Sequence, residues 1–355
     1  MKKRIAILHS HPAPYFLACL RTLHDIHGAE ILAVFWESER DIDFLTDTSR
    51  FIANMYRRQD LSTEQLVDIL SNFCPDAIYL AGWMDRGYLR AGYVFKKRGV
   101  PVIAGLDNQW RGTFRQWQAV FFWKLFLHQC IDIIWVAGER QAQYARLLGF
   151  GGRRIWYGFY CCDWEQFHKA YIARETQSGR GFLFVGRYVS EKGLDLLLKA
   201  YQGYRESVIE PLELRCAGAG PLKSLLQKKP GVIDLNFIRP GRLPETLLSS
   251  SIFVLPSTFE PWGVVIQEAA ASGMIVICSD ACGAAVHLVQ DHYNGYLFPA
   301  GNVDELKNRL IMAARLSFDE SRAMAEAGHE LSKQFKSERW AETFINGIGA
   351  FSQST

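Results

Sequence analysis

Short β-branched or aromatic runs alternate with helix-length segments along the whole chain, which restricts the fold to parallel sheets covered by helices on both faces. In the first half the predicted strands are Arg4 to His9, Ile31 to Trp36, Ala77 to Ala81, Val100 to Gly105 and Ile131 to Ala137. A second series follows at Gly181 to Val185, Leu212 to Ala217, Val232 to Phe237, Ile252 to Pro256 and Met274 to Cys278. At 355 residues the chain exceeds one comfortable core, and two α/β domains of about 150 to 200 residues each are the natural outcome. The polar stretch Asp163 to Gly181, with Glu175-Thr-Gln-Ser-Gly179 and no obvious strand, reads as the linker. The segment Ser337 to Phe351 predicts a helix with Trp340, Phe344 and Ile345 on one side, suited to docking on a neighbouring surface. The expected domains are residues 1–165 with 336–355, and residues 166–335.

Composition excludes several classes. A hydrophobic content of 49% with 22% charged residues belongs to a chain that folds throughout. The net charge of +3 gives no case for nucleic acid as a partner. Eight cysteines without a repeated Cys-x-x-Cys spacing or paired histidines argue against zinc, and no metal is expected. The apolar run after Met-Lys-Lys-Arg stops at His9 with no small-residue cleavage site, so it reads as the first strand of a cytoplasmic protein rather than a signal peptide. Ala119 to Leu127 is too short to span a bilayer and contains Lys124. The helix expected at Thr113 to Cys130 is dense in aromatics, which predicts burial against the sheet. Trp110, Arg111, Arg115, Trp117, Phe121, Phe122, Trp123 and Lys124 support the rival reading, peripheral contact with a membrane on its cytoplasmic face.

The densest chemical signal runs from Val254 to Phe298. After strand Ile252 to Pro256 a loop carries Glu260-Pro261-Trp262-Gly263 into a helix beginning near Val264. A glycine at a helix N-terminus offers unpaired N–H groups and a positive dipole end, which suits a phosphate or sugar oxygen. Glu260 lies just before that helix and Glu268 about two turns along it, so both carboxylates can look into one space. Carboxylates beside a phosphate repel it, so their partners are expected to be hydroxyls of ribose or hexose. The plainer alternative is a capping glutamate followed by a solvated one. A second element, Gly186-Arg187-Tyr188-Val189-Ser190-Glu191-Lys192-Gly193, follows strand Gly181 to Val185. Gly186 permits close backbone approach, and Arg187 and Lys192 supply two cations for a diphosphate, unless both are plain surface residues.

Together these strings resemble GT-B glycosyltransferases, nearest to family 4. STFEPWGVVIQEAAASGMIVICSD resembles the family's Glu-x7-Glu signature, and D-H-Y-N-G-Y-L-F at 291 to 298 its Asp-Gly-x-Asn-Gly-x-Leu element. The resemblance implies that Glu260 binds hydroxyls of the donor sugar, that Glu268 binds the ribose, and that Arg187 and Lys192 neutralise the departing nucleotide diphosphate. Phe237-Ile238-Arg239-Pro240-Gly241 matches the loop whose backbone contacts the base, with Arg239 as a candidate. Gly186, Pro261, Trp262, Gly263 and Val264 complete the expected donor-binding set. Cys216-Ala-Gly-Ala-Gly-Pro221 contains Gly-x-Gly after a strand, but it lacks the third glycine and a ribose-binding acid, so it reads as a tight turn rather than a nicotinamide site.

The first domain departs from the family. Its first loop is His9-Ser-His11-Pro-Ala-Pro-Tyr15 instead of a glycine-rich one, and prolines remove N–H donors. His11 is a candidate polar contact. Where relatives often carry a histidine, this chain has Leu106-Asp107-Asn108-Gln109-Trp110. Asp107 is the expected substitute, orienting the acceptor or stabilising positive charge on the sugar, with an Asx turn as the plainer reading. Asn108 and Asp85 are weaker candidates, and His287 stands where many relatives place a glutamate.

The expectation is therefore an α/β protein of GT-B fold, two Rossmann-like doubly wound domains facing a central cleft. The C-terminal domain would hold a UDP- or GDP-linked sugar, and the N-terminal domain a saccharide or lipid-linked acceptor. The resemblance implies transfer of a hexose-type sugar with retention, with no cofactor and no metal, in polysaccharide or glycoconjugate biosynthesis. The alternatives are a nucleotide-sugar epimerase of the same fold and a catalytically silent nucleotide-sugar-binding subunit.

Overall fold

The structure, a computed structural model, describes residues 2–36, 48–177 and 179–352. The chain divides into two compact units, Met1–Cys162 with Ser337–Thr355, and Asp163–Lys336. The first unit runs β1 (Arg4–His9), α1 (Pro14–His27), β2 (Glu30–Phe35), β3 (Asn54–Arg57), α2 (Thr63–Phe73), β4 (Ala77–Leu80), α3 (Arg86–Lys97) and β5 (Val102–Leu106). It continues through α4 (Phe114–Gln118), a π-helical turn (Ala119–Trp123), α5 (Lys124–Cys130), β6 (Ile133–Val136), α6 (Glu139–Leu147) and β7 (Ile155–Tyr157). The second unit comprises α7 (Trp164–Gln177), β8 (Phe182–Val185), α8 (Leu194–Glu206), β9 (Leu214–Ala217), β10 (Val232–Asn236), α9 (Leu243–Leu248) and β11 (Ile252–Leu255). It closes with α10 (Val264–Ala271), β12 (Ile275–Ser279), α11 (Ala285–Leu288), β13 (Gly295–Phe298), α12 (Val303–Arg315) and α13 (Phe318–Ser332).

Each unit is one parallel sheet flanked by helices. The orders are β3-β2-β1-β4-β5-β6-β7 and β10-β9-β8-β11-β12-β13. Central strands such as AIYL and IFVL are apolar at every position because both faces are covered. In both sheets the winding direction reverses once, between β1 and β4 and between β8 and β11, and loops at the carboxyl ends of such strand pairs form the usual ligand sites. α14 (Ser337–Ser352) belongs to the first unit. Its Trp340 and Phe344 are buried, Trp340 stacks on Trp135 with centroids 4.6 Å apart, and its indole N–H donates to Phe159 O at 3.0 Å.

Four sequence expectations change. β3 and β7 lengthen the first sheet, and β13 lies inside the 291–298 element and edges the second. β3 escaped prediction because NMYR is an exposed edge with no apolar alternation. The supposed linker is mostly helix α7. Trp164 pins it by donating to Ser332 Oγ at 2.8 Å, and Arg174 by donating to the carbonyls of Ser272, Ser250 and Leu247, each at 2.8 Å. The helix expected at 113–130 is broken by the π turn, and most of its aromatic rings face outward instead of packing on the sheet.

Candidate functional site

In the second unit, the loops at the switch point are the two that carry the motifs. Residues 186–193 follow β8 and residues 256–263 follow β11. Glycines let backbone press on backbone there. A Cβ on Gly218 would run into Gly186 O, and one on Gly220 into the backbone of Tyr188. Gly186 N donates to Ala217 O at 3.0 Å and Tyr188 N to Ala219 O at 2.8 Å. The Cys216–Pro221 turn thus buttresses the first loop. Gly193 sits at φ 69°, where a Cβ would also strike Pro256 O, so this position requires glycine twice over. Thr258 N donates to Glu191 O at 2.9 Å and ties the two loops together. A third loop, after β12, lies beneath them: Gly283 N donates to Glu260 O at 3.1 Å and Ala284 N to Trp262 O at 2.9 Å.

On this frame Lys192 Nζ and Glu260 Oε2 form an ion pair whose side chains are only 18% and 9% exposed. Charges that sheltered persist because each compensates the other. Arg187, on the same loop, is exposed and forms no ion pair among the described residues. α10 begins at Gly263, φ 97°, without a side-chain cap, so its first turn presents unsatisfied N–H groups. Glu268 is the fifth residue of α10, just over one turn into the second loop's helix. Burial, with Asp163 adding, pushes its carboxyl up to about 7. Among the described residues that carboxylate accepts no hydrogen bond and joins no ion pair, so nothing in the protein offsets its desolvation.

Some expected residues stand differently. Trp262 is 2% exposed and packs against Phe335 and His287 with centroids 6.0 and 5.7 Å away, so its side chain is core and only its backbone belongs to the loop. Pro261 and Val264 keep partial exposure. Arg239 is exposed beyond β10, two strands from β8, and is not part of the Lys192–Glu260 pair.

The tips of the first sheet are built from side chains. Asp107 follows β5, and its carboxylate accepts the Tyr160 hydroxyl at 3.1 Å while its carbonyl accepts Gln141 Nε2 at 3.0 Å. Tyr15 packs edge-on against Tyr160 at 5.4 Å, and burial holds both hydroxyls above their ordinary range. Tyr79 is fully buried, and its hydroxyl has no hydrogen-bond partner among the described residues. His9 stacks on Phe16 at 4.1 Å, and burial pushes its ring down to about 4, so it is neutral. Sequence reasoning missed His9, Tyr15, Tyr79 and Tyr160, which come from distant stretches and form no motif. His11 and Asn108 are exposed. Asp85 is accounted for without a substrate: it caps α3 by accepting Tyr88 N at 2.9 Å, pairs with Arg58 at 3.0 Å and accepts Trp36 Nε1 at 2.9 Å.

Residues 172–331 match the glycosyl transferases group 1 family. A GDP-mannose-dependent alpha-mannosyltransferase of Corynebacterium glutamicum is 34% identical over 271 residues, 72% of this chain and 62% of the relative. A sulfoquinovosyl transferase of Arabidopsis thaliana is 27% identical over 295 residues, 72% of this chain and 53% of the relative. The chain thus spans little more than half of these relatives. Among solved structures, Anabaena HepE in complex with UDP aligns with TM-score 0.78 at 16% identity, over 99% of this chain and 100% of that one. By these comparisons, residues 172–331 carry a glycosyl transferases group 1 domain, and the chain has the GT-B fold.

Proposed function

We propose that the chain transfers a hexose-type sugar, with retention, from a UDP- or GDP-linked donor to a saccharide or lipid-linked acceptor. The observation that carries this reading is the Lys192–Glu260 pair at the switch point of the second sheet, with Arg187 on the same loop. The diphosphate lies along the 186–193 loop, where Arg187 and Lys192 oppose its charge, and the uncapped start of α10 gives it further N–H donors. Glu260 turns toward the sugar hydroxyls as Lys192 shifts from carboxylate to phosphate, and Glu268 accepts from the ribose. As the bond between the anomeric carbon and the diphosphate oxygen breaks, the electron pair leaves with the diphosphate. Negative charge then grows beside the two cations, which therefore favour the transition state over the ground state. The first unit holds the acceptor, oriented by Asp107 within its tyrosine cluster. No cofactor or metal takes part.

A HepE structure contains UDP, and the corynebacterial relative is named for GDP-mannose, which supports a nucleotide sugar as donor. The test is a thermal-shift screen of UDP- and GDP-sugars, followed by turnover with and without an acceptor. Donor-dependent stabilisation and acceptor-dependent turnover are expected. Donor conversion without any acceptor would replace transfer by epimerisation.

A further inference from the structure

The segment 114–126 presents outward what its aromatic density would have placed inward. Phe114, Phe121, Phe122 and Leu125 are 79%, 70%, 78% and 76% exposed. The exposed rings pack on one another, Trp117 with Phe121 at 5.6 Å and Trp123 with Phe126 at 5.9 Å. An inner stripe, with Ala119 and Val120 against the core cluster and Leu127 and Cys130 fully buried, holds the segment to the unit, and Trp117 packs edge-on against the part-buried Trp110 at 5.0 Å. The π turn between α4 and α5 carries Phe121, Phe122 and Trp123, all three exposed.

The charges carried by the segment itself have one sign. No acidic residue occurs from 108 to 131, whereas Arg111, Arg115 and Lys124 do. Arg115 reaches to 3.7 Å from the sulfur of the exposed Met84, so a cation borders the apolar surface. At the far end Arg154 lies 3.3 Å from His128. The His128 ring is held below its ordinary range by burial first, then by Arg154, Lys96 and Lys124. Among the described residues no helix is long and apolar enough to cross a membrane, so the apolar face has no spanning use.

We propose that the outer face of 114–126 is a docking surface for an anionic lipid bilayer, lying in the plane of the interface. Aromatic rings and a leucine enter the acyl boundary, while Arg111, Arg115 and Lys124 meet lipid phosphates. A second copy fits less well, because two such faces brought together about a twofold axis oppose like charges. The proposal does not depend on the transfer reaction, since its assay reads binding alone.

The full chain is cosedimented with phosphatidylcholine vesicles with and without phosphatidylglycerol, at low and high salt. At low salt, binding to the anionic vesicles is expected to exceed binding to neutral ones at least tenfold and to fall as salt rises. F121S/F122S, at positions whose exposure spares the core, is expected to lower anionic-vesicle binding about tenfold with the melting temperature unchanged. R111Q/R115Q is expected to lower binding several-fold on anionic vesicles only. The proposal is overturned if the wild type stays in the supernatant at low salt, if F121S/F122S sediments as the wild type does, or if the patch instead drives a dimer that this variant dissolves.

Discussion

The two switch points of this molecule are built from opposite materials. At β8 and β11 the loops are shaped by glycines that let carbonyls and chain meet, and the charged groups stand on that frame with few side-chain partners. At β1 and β4 the tips are filled by a stacked histidine and a tyrosine cluster, and Asp107, at the end of the neighbouring β5, is already engaged by Tyr160. A backbone-built loop suits a ligand common to many enzymes, such as a diphosphate. A side-chain-built tip can be respecified by a few substitutions.

The contrast can be broken by experiment, and the largest effect belongs to the backbone-built side. Gly193→Ala must fit a Cβ at positive φ against Pro256 O, and a loss of about 3 kcal/mol is expected in chemical denaturation. The same change at Gly151, which has open space around it, should stay within about 0.5 kcal/mol. Lys192→Ala is expected to cut turnover on the order of 10²-fold while nucleotide affinity, followed by calorimetry, changes less than tenfold. Wild-type turnover would remove Lys192 from the mechanism. Asp107→Asn should lower transfer roughly tenfold with the nucleotide Kd unchanged. A parallel fall in nucleotide affinity would blur the division of labour between the units.

The smallest effects are two pH responses of opposite sign. His9, pushed down from 6.5 to about 4, stays neutral in the fold while the unfolded chain takes up a proton, so its contribution is intact above 6.5 and lost as pH falls toward 4. Glu268, pushed up from 4.5 to about 7, keeps its proton longer in the fold, so its contribution is present below 4.5 and lost as pH rises through 7. Glu268→Gln should therefore raise Tm by a few °C at about pH 8 and leave it unchanged near pH 4. His9→Gln should flatten the acid limb of the stability profile instead. Equal responses of both variants at both pH values would remove the assignment.

The same contrast explains what could be seen in the sequence. Glu260, Lys192 and their loops were legible because close backbone approach forces glycine at fixed spacings, and those spacings survive as a motif. That the Trp262 side chain lies in the core could not be seen, because a motif letter does not say which way a side chain points. The His9, Tyr15, Tyr79 and Tyr160 group was invisible because its members meet only through the topology. Aromatic density at 113–130 suggested burial, since rings usually leave water, and only the structure separates the inner stripe from the outward face.

The central claim is that the second unit's loops hold a nucleoside diphosphate, with Glu268 accepting from it. Calorimetric titration of UDP and of GDP into the wild type and Glu268→Ala, in buffers of different ionisation enthalpy, tests it most directly. The account predicts that one of the two binds the wild type, releasing a proton near pH 6 as the carboxyl ionises, and that Glu268→Ala loses at least about tenfold in affinity together with that release. Failure of both nucleotides to bind, or equal binding by wild type and variant, would contradict it.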